Sequence, residues 1–243
     1  MNIEPDPPPR RFAKFAFLAL LAALFAGFGA LGVWQVKRLH WKHELIARVD
    51  SRIHADPVAA PPRAQWPQVD AAGAEYRRVF AQGEFLPDRD TRVDALTELG
   101  PGAWILSPLR TDDGDIVLVN RGFVAADARE SAAPAPAGPV RVEGLLRLDE
   151  PGGRILRENL PAQERWYSRD VHAIAAARGL GDAAPYFIDA AFDPAAPAWP
   201  RGGMTVVRFR DHHLQYALTW FALAGMVAYA IRRVLSGERR RRH

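Results

Sequence analysis

Two apolar runs frame the chain, and the hydrophobic pattern between them changes period. Phe15–Trp34 (FAFLALLAALFAGFGALGVW) is twenty residues long and carries no charge. As a helix rising about 1.5 Å per residue it spans roughly 30 Å, the thickness of a bilayer's hydrocarbon core. A second uncharged run, Leu214–Ile231 (LQYALTWFALAGMVAYAI), has Gln215 and Thr219 as its only strongly polar side chains. Asp211 precedes it as an expected N-cap, and Arg232-Arg233 stop it. Both runs are read as membrane helices. The rival for the first is a signal peptide, but the run exceeds a usual h-region and Trp34-Gln35-Val36-Lys37-Arg38 offers no small-residue cleavage site. Small residues recur four apart: Ala22, Ala26, Ala30 and Ala23, Gly27 in the first run, Ala224 and Ala228 in the second. That spacing lets helices approach closely, so the two are expected to pair.

Past Trp34 a helical pattern continues through Gln35–Arg52, with Leu39, Leu45, Ile46 and Val49 toward one side. Pro57, Pro61, Pro62 and Pro67 are expected to end it in an extended linker. The period then becomes that of strands, at Tyr76–Leu86 with Gly83 as a bulge, Arg92–Leu99, Ala103–Leu109, Asp115–Val124, Val140–Leu148, Tyr186–Asp189 and Thr205–Phe209. Thr111-Asp112-Asp113-Gly114 makes a hairpin turn, and Pro134–Pro139 and Gly152-Gly153 are loops. Ile116–Val119 is apolar on both faces, the mark of a strand covered on both sides. One short helix is expected at Val171–Arg178, capped by Asp170 and stopped by Gly179.

The pattern therefore predicts an α+β membrane protein. Two transmembrane helices flank a β-rich extracytoplasmic domain, a small antiparallel barrel or sandwich of six or seven strands. The expected division is a cytoplasmic N-terminus (1–14), a first transmembrane helix (15–34), a juxtamembrane helix and Pro-rich linker (35–64), a periplasmic β-rich domain (65–210), a second transmembrane helix (211–231) and a cytoplasmic basic tail (232–243).

Charge supplies the orientation. The chain has 32 Lys and Arg against 28 Asp and Glu, but residues 37–210 are nearly neutral and the excess lies in residues 211–243. Six arginines follow the second run, and Arg10, Arg11 and Lys14 precede the first. Basic residues concentrate on the cytoplasmic side of membrane helices, so both termini are expected there. A nucleic-acid binder would carry its basic patch on the folded body, and this chain does not.

Zero cysteine excludes disulfide scaffolds, Cys-ligated zinc, iron–sulfur clusters and thiol catalysis. No G-x-S-x-G, H-E-x-x-H or phosphate-cradling glycine loop occurs, and Asp112, Asp113 and Asp115 lack the spacing and closing Glu of a calcium loop. The chain is not expected to be an enzyme. Of seven histidines, His40, His43 and His213 fall near the outer membrane surface in this topology. His213 opens the second run, and Tyr216, Ala217 and Trp220 follow on its face. A neutral imidazole in an aromatic groove can be an axial ligand of haem iron; it can equally be an interfacial polar residue. Arg121, after the most buried strand, is either an ion-paired structural residue or an anion clamp such as a haem propionate needs, and Gly122 supplies a bulge or turn that no Cβ would allow.

Four ordered motifs resemble the surfeit locus protein 1 family. They are Gly32-x-Trp34-Gln35-x-x-Arg38-x-x-x-Lys42, Tyr76-Arg77-Arg78-Val79 with Gly83 and Phe85, Val119-Asn120-Arg121-Gly122-Phe123-Val124, and the run from His213 to Ala224. Phe123 and Ala125 stand where the family usually has Trp and Pro, and His212 where an Asn is expected. The resemblance implies an assembly factor for haem-copper terminal oxidases, chiefly cytochrome c oxidase, in the bacterial inner membrane. It further implies haem a as a transiently bound cofactor, with oxidase subunit I, haem a synthase and membrane lipid as partners. In that picture His213 holds the iron, with His212 as its rival, and Tyr216 and Trp220 line the groove. Arg121 as a propionate partner is an addition to it. The alternative is a cofactor-free scaffold that stabilises subunit I.

Overall fold

The computed structural model describes residues 10–154, 156–205 and 212–241. In chain order the elements are α1 (Arg10–His54), β1 (Val58–Ala59), β2 (Arg78–Phe85), β3 (Thr91–Thr97), β4 (Gly100–Thr111), β5 (Ile116–Ala125), β6 (Pro139–Leu148), α2 (Val171–Ala177), β7 (Ala183–Ala190) and α3 (His213–Arg241). They form two compact units, residues 1–47 with 208–243, and residues 48–207.

In the helical unit, both helices contain segments long and apolar enough to cross a membrane, Phe12–His54 and His213–Ser236. Phe15, Leu20, Phe25, Trp34, Leu214, Leu218 and Met226 are exposed on them. Apolar surface on this extent is unfavourable in water and neutral in lipid, which is the physical reason to read these helices as membrane spans. The Asp211 cap lies outside the described residues.

The helices pair, with Ala224 of the expected small-residue stripe in the contact and the rest of the stripe outside it. Ala22, Ala23, Ala26, Gly27 and Ala30 are exposed, and Ala228 is too. The contact runs along Leu21, Phe28, Gly32 and Gln35 of α1, against Ala217, Trp220, Phe221 and Ala224 of α3. Gly32 meets the Phe221 ring, where an added Cβ would fall 2.6 Å from Cε1. Phe28 stacks on Trp220 with centroids 5.7 Å apart. In an Ala-rich helix small residues at four-residue spacing occur on every face, so the spacing could not choose one.

In the other unit, seven strands hydrogen-bond in the order β1-β2-β6-β7-β5-β4-β3, and an extra β2–β4 pairing closes the middle five into a barrel. The β5–β7 and β1–β2 pairs are parallel and the rest antiparallel, so the barrel is mixed where a purely antiparallel one was expected. β5 is buried along its length apart from Arg121, as its two-faced apolar run predicted. Val117 and Val119 face the barrel core with Val79, Leu109, Leu146, Tyr186 and Ile188. Ile116 and Leu118 join a second core outside the barrel, where Trp166, Val171 and Ile174 pack. The latter two come from α2, whose predicted cap is present: the Asp170 carboxylate accepts from the Ala173 N–H at 2.9 Å.

Two glycines set the barrel's geometry. Gly83 is not the expected bulge, because the β2–β6 register is unbroken through it. It sits where β2 pairs with both β6 and β4, and a Cβ there would run into the Arg110 carbonyl. Gly122 does belong to a bulge, since Asn120 and Gly122 pair with adjacent residues of β4 and Arg121 is left over. Its φ is +137°, and a Cβ would collide with the Arg201 backbone, which pairs with Phe123.

The Pro-rich stretch is no free linker. β1 lies within it, a six-residue 3-10 helix spans Arg63–Gln68, and Ala60 and Trp66 pack on the barrel core. Tyr186 Oη donates to the Pro61 carbonyl at 2.8 Å. Of the strand expected at Thr205–Phe209, residues 206–209 lie outside the described residues, and Thr205 is in no strand.

Candidate functional site

His213 begins α3, half-buried, and its Nδ1 lies 2.8 Å from Oε1 of Gln35, a buried residue of α1. An amide oxygen only accepts, so in this contact the ring nitrogen is the donor. Metal-ligating histidines are commonly held in this way, with one ring nitrogen anchored to a fixed acceptor. Trp220 is half-buried and stacked on Phe28. Tyr216 is exposed, at 55%. These three sequence-predicted residues share α3, and the structure adds Gln35 and Phe28 to their surroundings.

A groove of about 610 Å³ runs along the same helix pair, lined by Val33, Val36, Lys37, His40, Trp41 and Phe221 among others. His40 repeats the chemistry of His213, its Nδ1 donating to the Val36 carbonyl at 2.9 Å. His213, Tyr216 and Trp220 are not among the groove's lining residues. Among the described residues no three His, Asp or Glu side chains cluster in the manner of a metal site. Ligation of iron by one imidazole, the case considered for His213, requires no such cluster.

Arg121 belongs to the other unit. Its Nε donates to Ser107 Oγ at 2.8 Å, Nη1 to the Pro134 carbonyl, and Nη2 to the Ala133 carbonyl and the Asp90 carboxylate. Burial pulls the guanidinium below its ordinary value, and Asp90 opposes that. Through these four hydrogen bonds Arg121 fastens the 133–134 loop to β5 and pairs with Asp90.

A polar hub on β7 has no signature in the local residue pattern. Asp189 is 5% exposed and accepts from Asn120 Nδ2 at 2.7 Å, Thr205 Oγ1 at 2.9 Å, Arg169 Nη1 at 3.1 Å and Arg147 Nη1 at 3.3 Å. Arg169 continues to Glu150, with Nε to Oε2 at 3.0 Å. Burial alone would raise the Glu150 carboxyl. The hydrogen bonds and charge of Arg169, with Arg147 behind them, overcome it and hold the group below the ordinary carboxylate range. Every carboxylate here faces a cation, so the hub holds the barrel together and leaves no reactive group over.

The family model described as the SURF1 family matches residues 22–225. The chain belongs to the SURF1 family. Surfeit locus protein 1 of Mus musculus is 35% identical over 221 residues, covering 82% of this chain and 69% of that protein. Surfeit locus protein 1 of Homo sapiens is 36% identical over 222 residues, covering 82% and 71%. A SURF1-like protein of Monosiga brevicollis is 34% identical over 212 residues, covering 81% and 78%. The SURF1 match takes in part of both apolar helices and the whole barrel, and so includes Gln35, Arg121 and His213.

Proposed function

We propose that this SURF1-family chain is an assembly factor for a haem-copper terminal oxidase, with cytochrome c oxidase foremost. It binds haem a on its helix pair and assists the insertion of that haem into subunit I. The observation that supports the binding step is the His213–Gln35 hydrogen bond, which anchors the imidazole at the start of α3. Apolar and aromatic neighbours, Phe28 and Trp220, suit a porphyrin. The residues therefore fit the cargo. His213 would hold the iron and Gln35 would orient the ring. Tyr216 and Trp220 would flank the macrocycle. Haem a itself supplies redox chemistry only after delivery, so the chain's task is binding and release, not turnover. Subunit I and haem a synthase are the partners this role requires, both within the same membrane. The C-terminal arginines support an inner-membrane orientation with both termini cytoplasmic and the barrel periplasmic.

The test is the optical spectrum of the full chain purified in detergent from cells that make haem a. A haem spectrum in the native chain, lost in His213→Ala and kept in His212→Ala, is the expected result. An unchanged spectrum in His213→Ala removes that residue from the site. A haem-free chain that still co-purifies with subunit I when haem a synthesis is blocked would replace this reading with the cofactor-free scaffold.

A further inference from the structure

A cleft of about 840 Å³, within the range of ligand sites, opens on the barrel unit. Phe85 of β2, Val119 of β5 and Val142 of β6 contribute apolar lining, and the Ala- and Pro-rich segments around residues 133–136 and 190–202 supply the walls. Prolines carry no N–H. The cleft's strong donors are therefore its arginines.

Four arginines line the cleft, Arg78, Arg121, Arg141 and Arg201, against two carboxylates, Glu143 and Asp193. Arg121 is already neutralised by Asp90. Asp193 accepts from the backbone N–H of Ala195 at 2.9 Å. Arg78 and Arg141 share the single carboxylate of Glu143, at 3.6 Å and 3.1 Å. Arg201 pairs with no carboxylate among the described residues, and its guanidinium lies 5.9 Å from the Phe192 ring centroid. Its backbone, by contrast, is fixed: Arg201 N–H donates to the Phe123 carbonyl at 2.8 Å and its own carbonyl accepts from Phe123 at 2.9 Å. Gly122 lies against that backbone with no room for a Cβ. A bulge thus holds in place an exposed arginine that no carboxylate among the described residues pairs with.

We propose that this cleft is the docking site for an acidic, extended segment of a protein partner. One carboxylate of the segment meets Arg201, a second meets the Arg78–Arg141 pair, and a small apolar side chain between them rests on Phe85 and Val142. Guanidinium forks match carboxylates in geometry as well as charge. A single small anion fits less well, because Arg201 shares no partner with Arg78 and Arg141 and the cavity greatly exceeds one phosphate. The proposal is independent of haem binding, which concerns the other unit.

The test uses the full chain in neutral detergent and a fluorescent short peptide of alternating Glu and Val, read by anisotropy. Saturable binding is expected, weakened roughly tenfold or more by Arg201→Glu and less by Arg201→Gln. It should also weaken as salt rises from about 0.05 M to about 0.5 M. Arg92→Glu, on the exposed face of β3, should leave it unchanged. Among the described residues the Arg201 side chain holds a ring contact alone, so its variants should keep the native melting transition. A reversed pair, Arg78→Glu with Arg201→Glu, should gain affinity for the same peptide with Lys in place of Glu. The proposal is overturned if the Glu peptide does not bind, or if Arg92→Glu weakens it equally. It is likewise overturned if phosphatidylglycerol vesicles or millimolar inorganic phosphate displace the peptide with the same dependence on Arg201.

Discussion

Asp189 shows how one side chain can hold distant segments together. Its donors come from β5, β6, the residue before the Asp170 cap, and Thr205, so no local pattern could announce it. Removing the charge while keeping the shape leaves Arg147 and Arg169 facing a neutral amide. Asp189→Asn should therefore cost about 3 kcal/mol of stability, read from urea unfolding of the full chain. Glu150 gives the hub a pH dependence of definite sign. Its native pKa is depressed, so its contribution is complete above the unfolded value of about 4.3 and is lost as pH falls through the lower native value. The urea midpoint should fall below about pH 4, and Glu150→Gln should remove that component. His213 was legible because it opens an apolar run beside aromatic residues at helical spacing. Gln35, its partner, lies 178 residues away and looked like any polar residue at a helix exit.

Individual elements were legible where a single period or cap decided them. The capped α2 and the two-faced β5 fall where the pattern put them. β1 did not, because two residues among prolines have no period to detect, and only pairing with β2 makes them a strand. The helix-pairing face was hidden by composition. Gly32 decides it, through the Phe221 ring. Replacing Gly32 by Leu should push α1 and α3 apart. The chain has no cysteine, so Phe28→Cys with Trp220→Cys gives a background-free pair for a short bis-maleimide crosslinker. Crosslinking should be efficient beside Gly32 and fall several-fold beside Gly32→Leu, while the β unit's melting transition stays unchanged.

For the protein as assembled in its membrane, the β-rich class and the two flanking helices followed from hydropathy and turn residues. The choice between barrel and sandwich did not. Closure depends on β2 meeting β4, a contact between strands that are not neighbours in the chain, and Gly83 was read as a bulge for want of that knowledge. Charge asymmetry fixes the expected orientation: a phosphatase reporter fused after Arg242 should be inactive and a fluorescent protein there should be bright. The opposite pair of results would place the barrel on the cytoplasmic side and remove the oxidase reading with it.

The barrel is joined unevenly around its circumference. β2 meets β4 at three residue pairs, Gly83–Thr111, Glu84–Arg110 and Phe85–Leu109, whereas β4 and β5 run together for nine. This short seam is where the cylinder would unzip into an open sheet at least cost, so amide exchange should begin there. A chain folding from the unfolded state would form the wide pairings first and fasten this one last.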